Sequence, residues 1–278
     1  MRKAVIIVAR NEGEWTKKTA NSFKKVMPDA EVIGIDDGGY NDWPEYVRVH
    51  KLEIPIGVGQ SRRLGVEVSN ADLIVVTDGH VLYDSGYVEK AWELAAKGYI
   101  VNPSTKSIDS GSLHGNGRTH NIPDHKTSYV KTFEGEEVGL IGSVYFMSKE
   151  VALDVIAPSP AHGYNEHIMT CSAFCFGHRI YAFPSLVFAH LYKKAFNYHL
   201  TYNEQERNKT LMNYWFFDGK EPKALRDVER QHYEFVQKNR QLSVEELTDK
   251  FISMNERILK QHEAIKNKKK DANTIVIS

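Results

Sequence analysis

Cysteine, net charge and long apolar stretches are all scarce in this chain of 278 residues. The two cysteines, Cys171 and Cys175, share one face of a predicted helix, which does not make a disulfide framework and indicates reduced thiols in an intracellular protein. The 36 basic residues balance the 36 acidic ones, so no overall charge attracts nucleic acid or a membrane surface. The apolar run within 3–9 is too short to cross a bilayer, and no signal-peptide cleavage region follows it. We therefore expect a cytoplasmic protein with no integral membrane association.

Short apolar runs alternate with helical patterns over the first hundred residues. This alternation predicts an α/β fold with a mostly parallel sheet and helices on both faces. Strands are predicted at 3–9, 31–35, 46–50, 73–77 and 99–101. Helices are predicted within 11–26 and at 59–69 and 87–97.

Polar residues and glycines dominate the segment 102–132, which predicts a long loop. Its three histidines are irregularly spaced, so we expect them to be solvent-exposed rather than to form a metal site of their own. They are His114, His120 and His125.

Regular patterns return after this segment. Strands are predicted at 144–147, 179–183 and 186–189, with a helix at 166–176. From residue 203 onward nearly all of the sequence has a helical pattern, and it ends in a short lysine-rich tail. We therefore predict an α/β domain over 1–202 and a helical extension over 203–278.

Acids and histidines follow several of the predicted strands. Asp78-Gly79-His80 follows the strand at 73–77, and alternation along a strand aims Asp78 and His80 at the same side. Asp37 and His190 also follow strands, and parallel strands place their carboxyl ends at the edge where such sheets bind ligands. Taken alone, Asp78 and His80 fit turn or capping positions equally well. Together with His190 they favour a site for Mn²⁺ or a similar ion, with positions left open for diphosphate oxygens.

Three common sequence signatures of enzymes are absent. The segment that begins at Gly57 has Arg62 where a dinucleotide fingerprint needs its third glycine, and no apolar strand immediately precedes it. The sequence has no phosphate-binding P-loop motif and no Gly-x-Ser-x-Gly elbow, which argues against a P-loop kinase and an α/β hydrolase. Arg62 and Arg63 can instead contact phosphate, each through two donors.

The order of these segments resembles the GT-A glycosyltransferases of the family-2 superfamily. The Asp-x-His form of Asp78-Gly79-His80 is similar in particular to the polypeptide N-acetylgalactosaminyltransferases, where other members carry Asp-x-Asp. The resemblance covers roughly residues 3 to 216. The other segments that carry it are 5–12, 35–38, 61–65, 139–146, 163–167 and 187–193.

The resemblance implies a GT-A catalytic domain that moves a sugar from a UDP-sugar donor to a hydroxyl group, with Mn²⁺ or Mg²⁺ as cofactor. Its metal ligands would be Asp78, His80 and His190. Asp37 would bond the uracil, and Lys193 would replace an arginine that contacts the diphosphate. The implied donor-binding set is Ala9, Asp37, Arg62, Lys193 and Tyr198, and the implied catalytic residues are Glu166 and His167.

Two departures from the family pattern matter for the chemistry. Gly163 stands where the family has tryptophan, which changes the sugar pocket. Inverting relatives carry two acids near position 166, whereas this chain has Glu166-His167, which favours transfer with retention although a histidine can also act as a base.

The acceptor and two alternative functions stay open at this point. A protein, a glycan, a small molecule and a hydroxymethylated DNA base are all candidate acceptors. Basic and aromatic residues interleave over 226–240, which fits nucleic acid binding and an ordinary amphipathic helix alike. The alternative functions are a sugar-phosphate nucleotidyltransferase and a non-catalytic nucleotide-sugar-binding module.

Overall fold

Strands and helices account for most of the chain in the computed structural model, which describes residues 1–121, 126–159, 163–192 and 202–275. The strands are β1 (Lys3–Ala9), β2 (Glu31–Asp36), β3 (Arg48–Lys51), β4 (Leu73–Asp78), β5 (Val81–Ser85), β6 (Tyr99–Ser107), β7 (Leu113–Gly115), β8 (Gly117–His120), β9 (Thr127–Val130), β10 (Val144–Ser148) and β11 (Arg179–His190). The helices are α1 (Trp15–Val26), α2 (Val58–Val68), α3 (Val88–Ala96), α4 (Lys149–Val155), α5 (Asn165–Cys175), α6 (Tyr202–Phe216), α7 (Asp227–Asn239) and α8 (Val244–Ile275).

Nine strands form the central sheet, in the order β3-β2-β1-β4-β10-β6-β11-β5 with β7 beside β6. The predicted α/β fold is confirmed, but the sheet is mixed rather than mostly parallel. The pairs β1–β2, β1–β4, β2–β3 and β6–β11 are parallel, whereas β10 runs antiparallel to both β4 and β6. The connection from β6 to β10 contains strands and no helical crossover in its described residues, so β10 returns in the opposite direction.

The apolar runs of β1 and β4 are buried on both faces, and helices cover each face. On one face, α1 and α3 pack over the sheet through residues such as Phe23 and Trp92. On the other face, α2, α4 and α5 share a second cluster with the sheet. Gly65 lets α2 approach β1 closely, since a Cβ at this position would lie 2.2 Å from Cγ2 of Ile6. This close packing holds α2 directly behind the strand ends.

The segment 102–132, predicted as a loop, instead contains the end of β6, strand β7 and the β8–β9 hairpin. Its polar side chains bond one another. The Asn102 amide donates to the Asn116 carbonyl at 3.1 Å, and the Asn116 amide donates to the Thr132 hydroxyl at 3.0 Å. His120 is 1% exposed, so the prediction that it is solvent-exposed is wrong. His125 lies outside the described residues.

The C-terminal helices pack into the same cluster as α5 and the sheet, with Trp215 and Phe251 fully buried. Asn255 of α8 holds the β8–β9 hairpin through two hydrogen bonds to the backbone of His120. Its side-chain oxygen accepts from the His120 N–H at 2.9 Å, and its amide donates to the His120 carbonyl at 2.8 Å. The predicted domain boundary at residue 203 stays a prediction, and apolar packing is continuous across it.

Several basic and aromatic side chains in α7 and at its start have partners within the protein. Arg226 pairs with Glu229 at 2.7 Å, and Arg230 pairs with Glu221 at 3.3 Å. Tyr233 stacks on Tyr214, with ring centroids 4.3 Å apart. These contacts match a packed amphipathic helix rather than an open nucleic-acid surface.

Both cysteines lie in α5 as free, buried thiols, as the sequence predicts. Burial raises the pKa of Cys171 well above its ordinary value and that of Cys175 to about 11. Within the described residues, no helix has the length and apolar character needed to cross a membrane. The cytoplasmic location stays a prediction.

Glu229 provides a test of how α6 and α7 are held together. Its fully buried carboxylate accepts from the Arg226 backbone N–H at 2.9 Å, from the Arg226 side chain at 2.7 Å, and from Arg207. We expect Glu229→Gln to lower the free energy of unfolding by about 2–4 kcal/mol, because two arginines lose their buried partner. Urea denaturation at pH 7 measures this, with the exposed Glu234→Gln on the same helix as control.

The pH dependence of this effect has a defined sign. Burial raises the pKa of Glu229, but the bonds from Arg226 and Arg207 outweigh it and hold the pKa below its ordinary value of 4.5. The stabilisation is therefore fully present above pH 4.5 and is lost as the pH falls through the folded-state pKa. The stability difference between wild type and Glu229→Gln should shrink on acidification; a constant difference would contradict the assignment.

Candidate functional site

The ends of β4 and β11 bring the three predicted metal ligands together. β4 ends on Asp78, with His80 two residues later, and His190 is the last residue of β11. Each residue of this metal group (Asp78, His80 and His190) offers one ligand atom, and these atoms all lie within 4.8 Å of one another. The two imidazole rings have centroids 4.8 Å apart. The antiparallel pairing of His190 with Val81 places His190 beside the end of β4.

Arg62 of α2 lies beneath this group, buried between two acids. Its Nη2 lies 2.8 Å from Asp78 Oδ1 and its Nη1 lies 3.7 Å from Glu166 Oε1. Burial raises the pKa of Asp78, but the Arg62 guanidinium outweighs it, with help from His190 and His80, and holds that pKa well below its ordinary value. The predicted contact between Arg62 and the nucleotide stays a prediction; the observed contacts are with the acids of the site.

Glu166 and His167 point to different surroundings although they are adjacent. Tyr164 precedes α5 in a left-handed conformation, φ 59°, so the chain turns sharply before Glu166. Glu166 faces Arg62, whereas the His167 ring packs 4.7 Å from His120 and 5.1 Å from Tyr164. The geometry places Glu166 with the metal group and His167 in the packing behind it.

Glu12 is a site residue that the sequence analysis missed. Its carboxylate is 6% exposed and lies 3.1 Å from Nδ1 of His80. A carboxylate this close to a metal-ligating imidazole is the kind of neighbour that tunes such a ligand. The sequence does contain a signal for Glu12, because this acid closely follows the first buried strand. Asp37 and Asp78 stand at the ends of later strands in the same way.

Asp37 and Ala9 lie at the neighbouring strand ends. The Asp37 carboxylate accepts from the backbone N–H of Ile56 at 2.7 Å and of Gly57 at 3.1 Å, which ties β2 to the start of α2. Burial raises the pKa of Asp37 against these bonds. Ala9 accepts from the Asp37 backbone N–H at 2.8 Å. Their predicted contacts with the donor stay predictions.

Lys193 and Tyr198, the remaining predicted donor-binding residues, lie outside the described residues.

The fold is of the GT-A type. The structure is similar to that of GalNAc-T7 with UDP, GalNAc and Mn²⁺, at a TM-score of 0.64 and 16% identity over 91% of this chain and 55% of that chain. It is also similar to S. aureus TarS 1-349 in complex with UDP-GlcNAc, at a TM-score of 0.57 and 13% identity over 85% of this chain and 72% of that chain. The chain thus spans a little over half the length of GalNAc-T7. No curated protein sequence matches it.

The family itself is established by sequence. Residues 4–155 match the model of glycosyl transferase family 2, which is more than half of the chain. The chain belongs to this family. The predicted resemblance to family-2 GT-A enzymes, and to the N-acetylgalactosaminyltransferases among them, is confirmed.

Arg62 offers a direct test of the site. Replacing it with glutamine removes the cation that holds Asp78 ionised and contacts Glu166, so we expect Arg62→Gln to reduce sugar transfer at least 100-fold. The measurement is UDP release from a UDP-sugar, with circular dichroism to verify the fold. Arg63→Gln is the matched control because the half-buried Arg63 bonds Glu67, 2.7 Å away, and the Leu153 carbonyl rather than the acids of the site. Equal activity of the two variants would contradict the role of Arg62.

Proposed function

We propose that this protein transfers a sugar from a UDP-sugar donor to a hydroxyl acceptor with the aid of Mn²⁺ or Mg²⁺ held by Asp78, His80 and His190. The observation that carries the proposal is the meeting of one carboxylate and two imidazoles at the end of the sheet, with ligand atoms within 4.8 Å. This donor set fits Mn²⁺ better than Ca²⁺. When bound, such an ion would neutralise negative charge on the departing diphosphate.

The protein groups around the metal group support this assignment. Arg62 keeps Asp78 ionised, as a metal ligand must be. Burial lowers the pKa of His190 against the opposing effect of Asp78, so its imidazole is neutral at neutral pH and has a lone pair to offer. The Glu12 carboxylate lies 3.1 Å from Nδ1 of His80. Arg62 thus holds Asp78, and burial holds His190, in the form that binds a metal ion.

The similar structures support UDP-sugar as the donor. GalNAc-T7 was determined with UDP, GalNAc and Mn²⁺, and TarS with UDP-GlcNAc. Asp37 and Ala9 occupy strand ends next to the metal group, where we place the uridine. The family match supports sugar transfer over nucleotidyl transfer and over binding without turnover.

Retention of the anomeric configuration is the stereochemical part of the proposal. Glu166 is the α5 acid beside Arg62, and the next residue, His167, packs away from it against His120. One acid on this element, rather than two, favours retention. The anomeric coupling constant of the product, measured by NMR, distinguishes the two outcomes.

A donor screen tests the function. UDP-glucose, UDP-galactose, UDP-N-acetylglucosamine and UDP-N-acetylgalactosamine are incubated with the protein, with and without Mn²⁺, and UDP release is followed. We expect metal-dependent release from one donor and at least 100-fold less with His80→Ala, which removes a metal ligand. Metal-dependent UDP binding without release would point to a strict acceptor requirement or a binding module. No UDP binding at all would overturn the proposal.

Glu12 gives a test that does not depend on turnover. Glu12→Gln removes the charge beside His80 but keeps the side-chain size, so we expect Mn²⁺ affinity to fall about 10–100-fold. Titration calorimetry in the presence of UDP measures it. Glu14→Gln is the control because the Glu14 side chain is 75% exposed and pairs only with Lys18 in the described residues. Unchanged Mn²⁺ affinity in Glu12→Gln would remove Glu12 from the site.

A further inference from the structure

A row of aromatic rings leads from the metal group towards the surface. The ring of His190 lies 4.4 Å from that of Tyr192, Tyr192 lies 4.3 Å from His114, and His114 lies 5.8 Å from Tyr129. Tyr129, at the outer end, is 41% exposed. We name these four residues the aromatic row. Exposed aromatic faces beside an active site bind flat rings by stacking.

Arg118 completes the outer end of the aromatic row. Its guanidinium lies 4.8 Å from the centroid of the Tyr129 ring, and Nη2 donates to the Tyr129 hydroxyl at 2.9 Å. Its Nε is buried and has no hydrogen-bond partner, and no carboxylate among the described residues pairs with the side chain. Arg118 therefore contrasts with Arg62, which lies between two acids.

The backbone around Arg118 is fixed. Its N–H donates to the Gly139 carbonyl at 3.1 Å, and its carbonyl accepts from the Gly139 N–H at 3.1 Å. On the other side, Arg118 pairs with Tyr129 across the β8–β9 hairpin. Asn255 of α8 holds the same hairpin two residues further on, at His120. A cation held this firmly, with no carboxylate partner in the described part of the chain, is suited to receive an oxyanion from outside the protein.

We propose that Arg118 and the aromatic row bind a nucleotide unit as the acceptor, with its phosphate at Arg118 and its base against the rings. This inference rests on the proposed function and specifies its acceptor. The two features together favour a nucleotide, because a phosphate and a flat ring are joined in one unit. The neutral net charge of the chain and the paired arginines of α7 argue for contact with one or a few nucleotides rather than a long duplex.

Binding to the full-length protein tests the proposal. The protein is saturated with UDP and Mn²⁺, which fills the donor site, and is titrated by calorimetry with 5-hydroxymethyl-2′-deoxycytidine 5′-monophosphate or with the same nucleoside lacking phosphate. We expect the monophosphate to bind at least tenfold more tightly. Arg118→Gln should bring it to the level of the nucleoside.

Arg179→Gln is the matched control for this variant. Like Arg118, Arg179 lies against a tyrosine: its guanidinium is 5.2 Å from the centroid of Tyr99, and it bonds the Tyr99 hydroxyl at 3.3 Å. Arg179 is at the start of β11, however, whereas His190 of the metal group is at the end of that strand. We expect it to keep the phosphate preference. Tyr129→Leu should weaken binding of both nucleoside and monophosphate, because it removes the exposed ring.

Three results would overturn the proposal. They are equal affinity for monophosphate and nucleoside in the wild type, an unchanged preference in Arg118→Gln, and tighter binding of a phosphoserine peptide than of the nucleotide. Titration with UDP and Mn²⁺ alone shows whether such a result concerns only the acceptor site or the proposed function as well. A protein that binds UDP with Mn²⁺ but shows no phosphate preference loses only the acceptor assignment.

Discussion

The buried pair between Arg62 and Asp78 is the interaction on which the rest of the site depends. A carboxylate removed from water would normally take up a proton, and a neutral acid is a poor metal ligand. The arginine prevents this, and it reaches Asp78 because α2 packs tightly on β1 through Gly65. The same guanidinium contacts Glu166 on α5. One cation thus links three separate elements of the fold and keeps the Asp78 carboxylate ionised.

The sequence predicted the parts of the fold that follow from local pattern. Continuous apolar runs give β1, β2 and β4, and the residues just after them supply Asp37, Asp78 and His80. The direction of β10 was missed because it depends on the path between strands rather than on the strand itself. The fold of 102–132 was missed for a different reason: polar residues such as Asn116 satisfy one another across strands, and their sequence looks like that of a loop.

The residues of the site likewise divide into those that local sequence pattern predicts and those that depend on how the strands pair. Asp78, His80 and His190 were predictable because each stands at the end of an apolar strand. Glu12 was missed because its contact with His80 arises only when β1 and β4 pair, and in sequence it looks like an ordinary surface acid. Arg118 and Tyr129 were missed because their segment gave no strand pattern. Only a paired hairpin places their side chains next to each other.

The pairing of Val81 with His190 has a consequence for how the site forms. β5 follows β4 immediately, whereas β11 comes after nearly all of the remaining sheet has been laid down along the chain. The metal group therefore joins the middle of the chain's strand order to its last strand, and a chain in which β11 is not in place holds only two of the three ligands. A bound ion would add to the free energy of unfolding only when all three ligands are in place, so the cofactor would stabilise the pairing of β11 with the rest of the sheet.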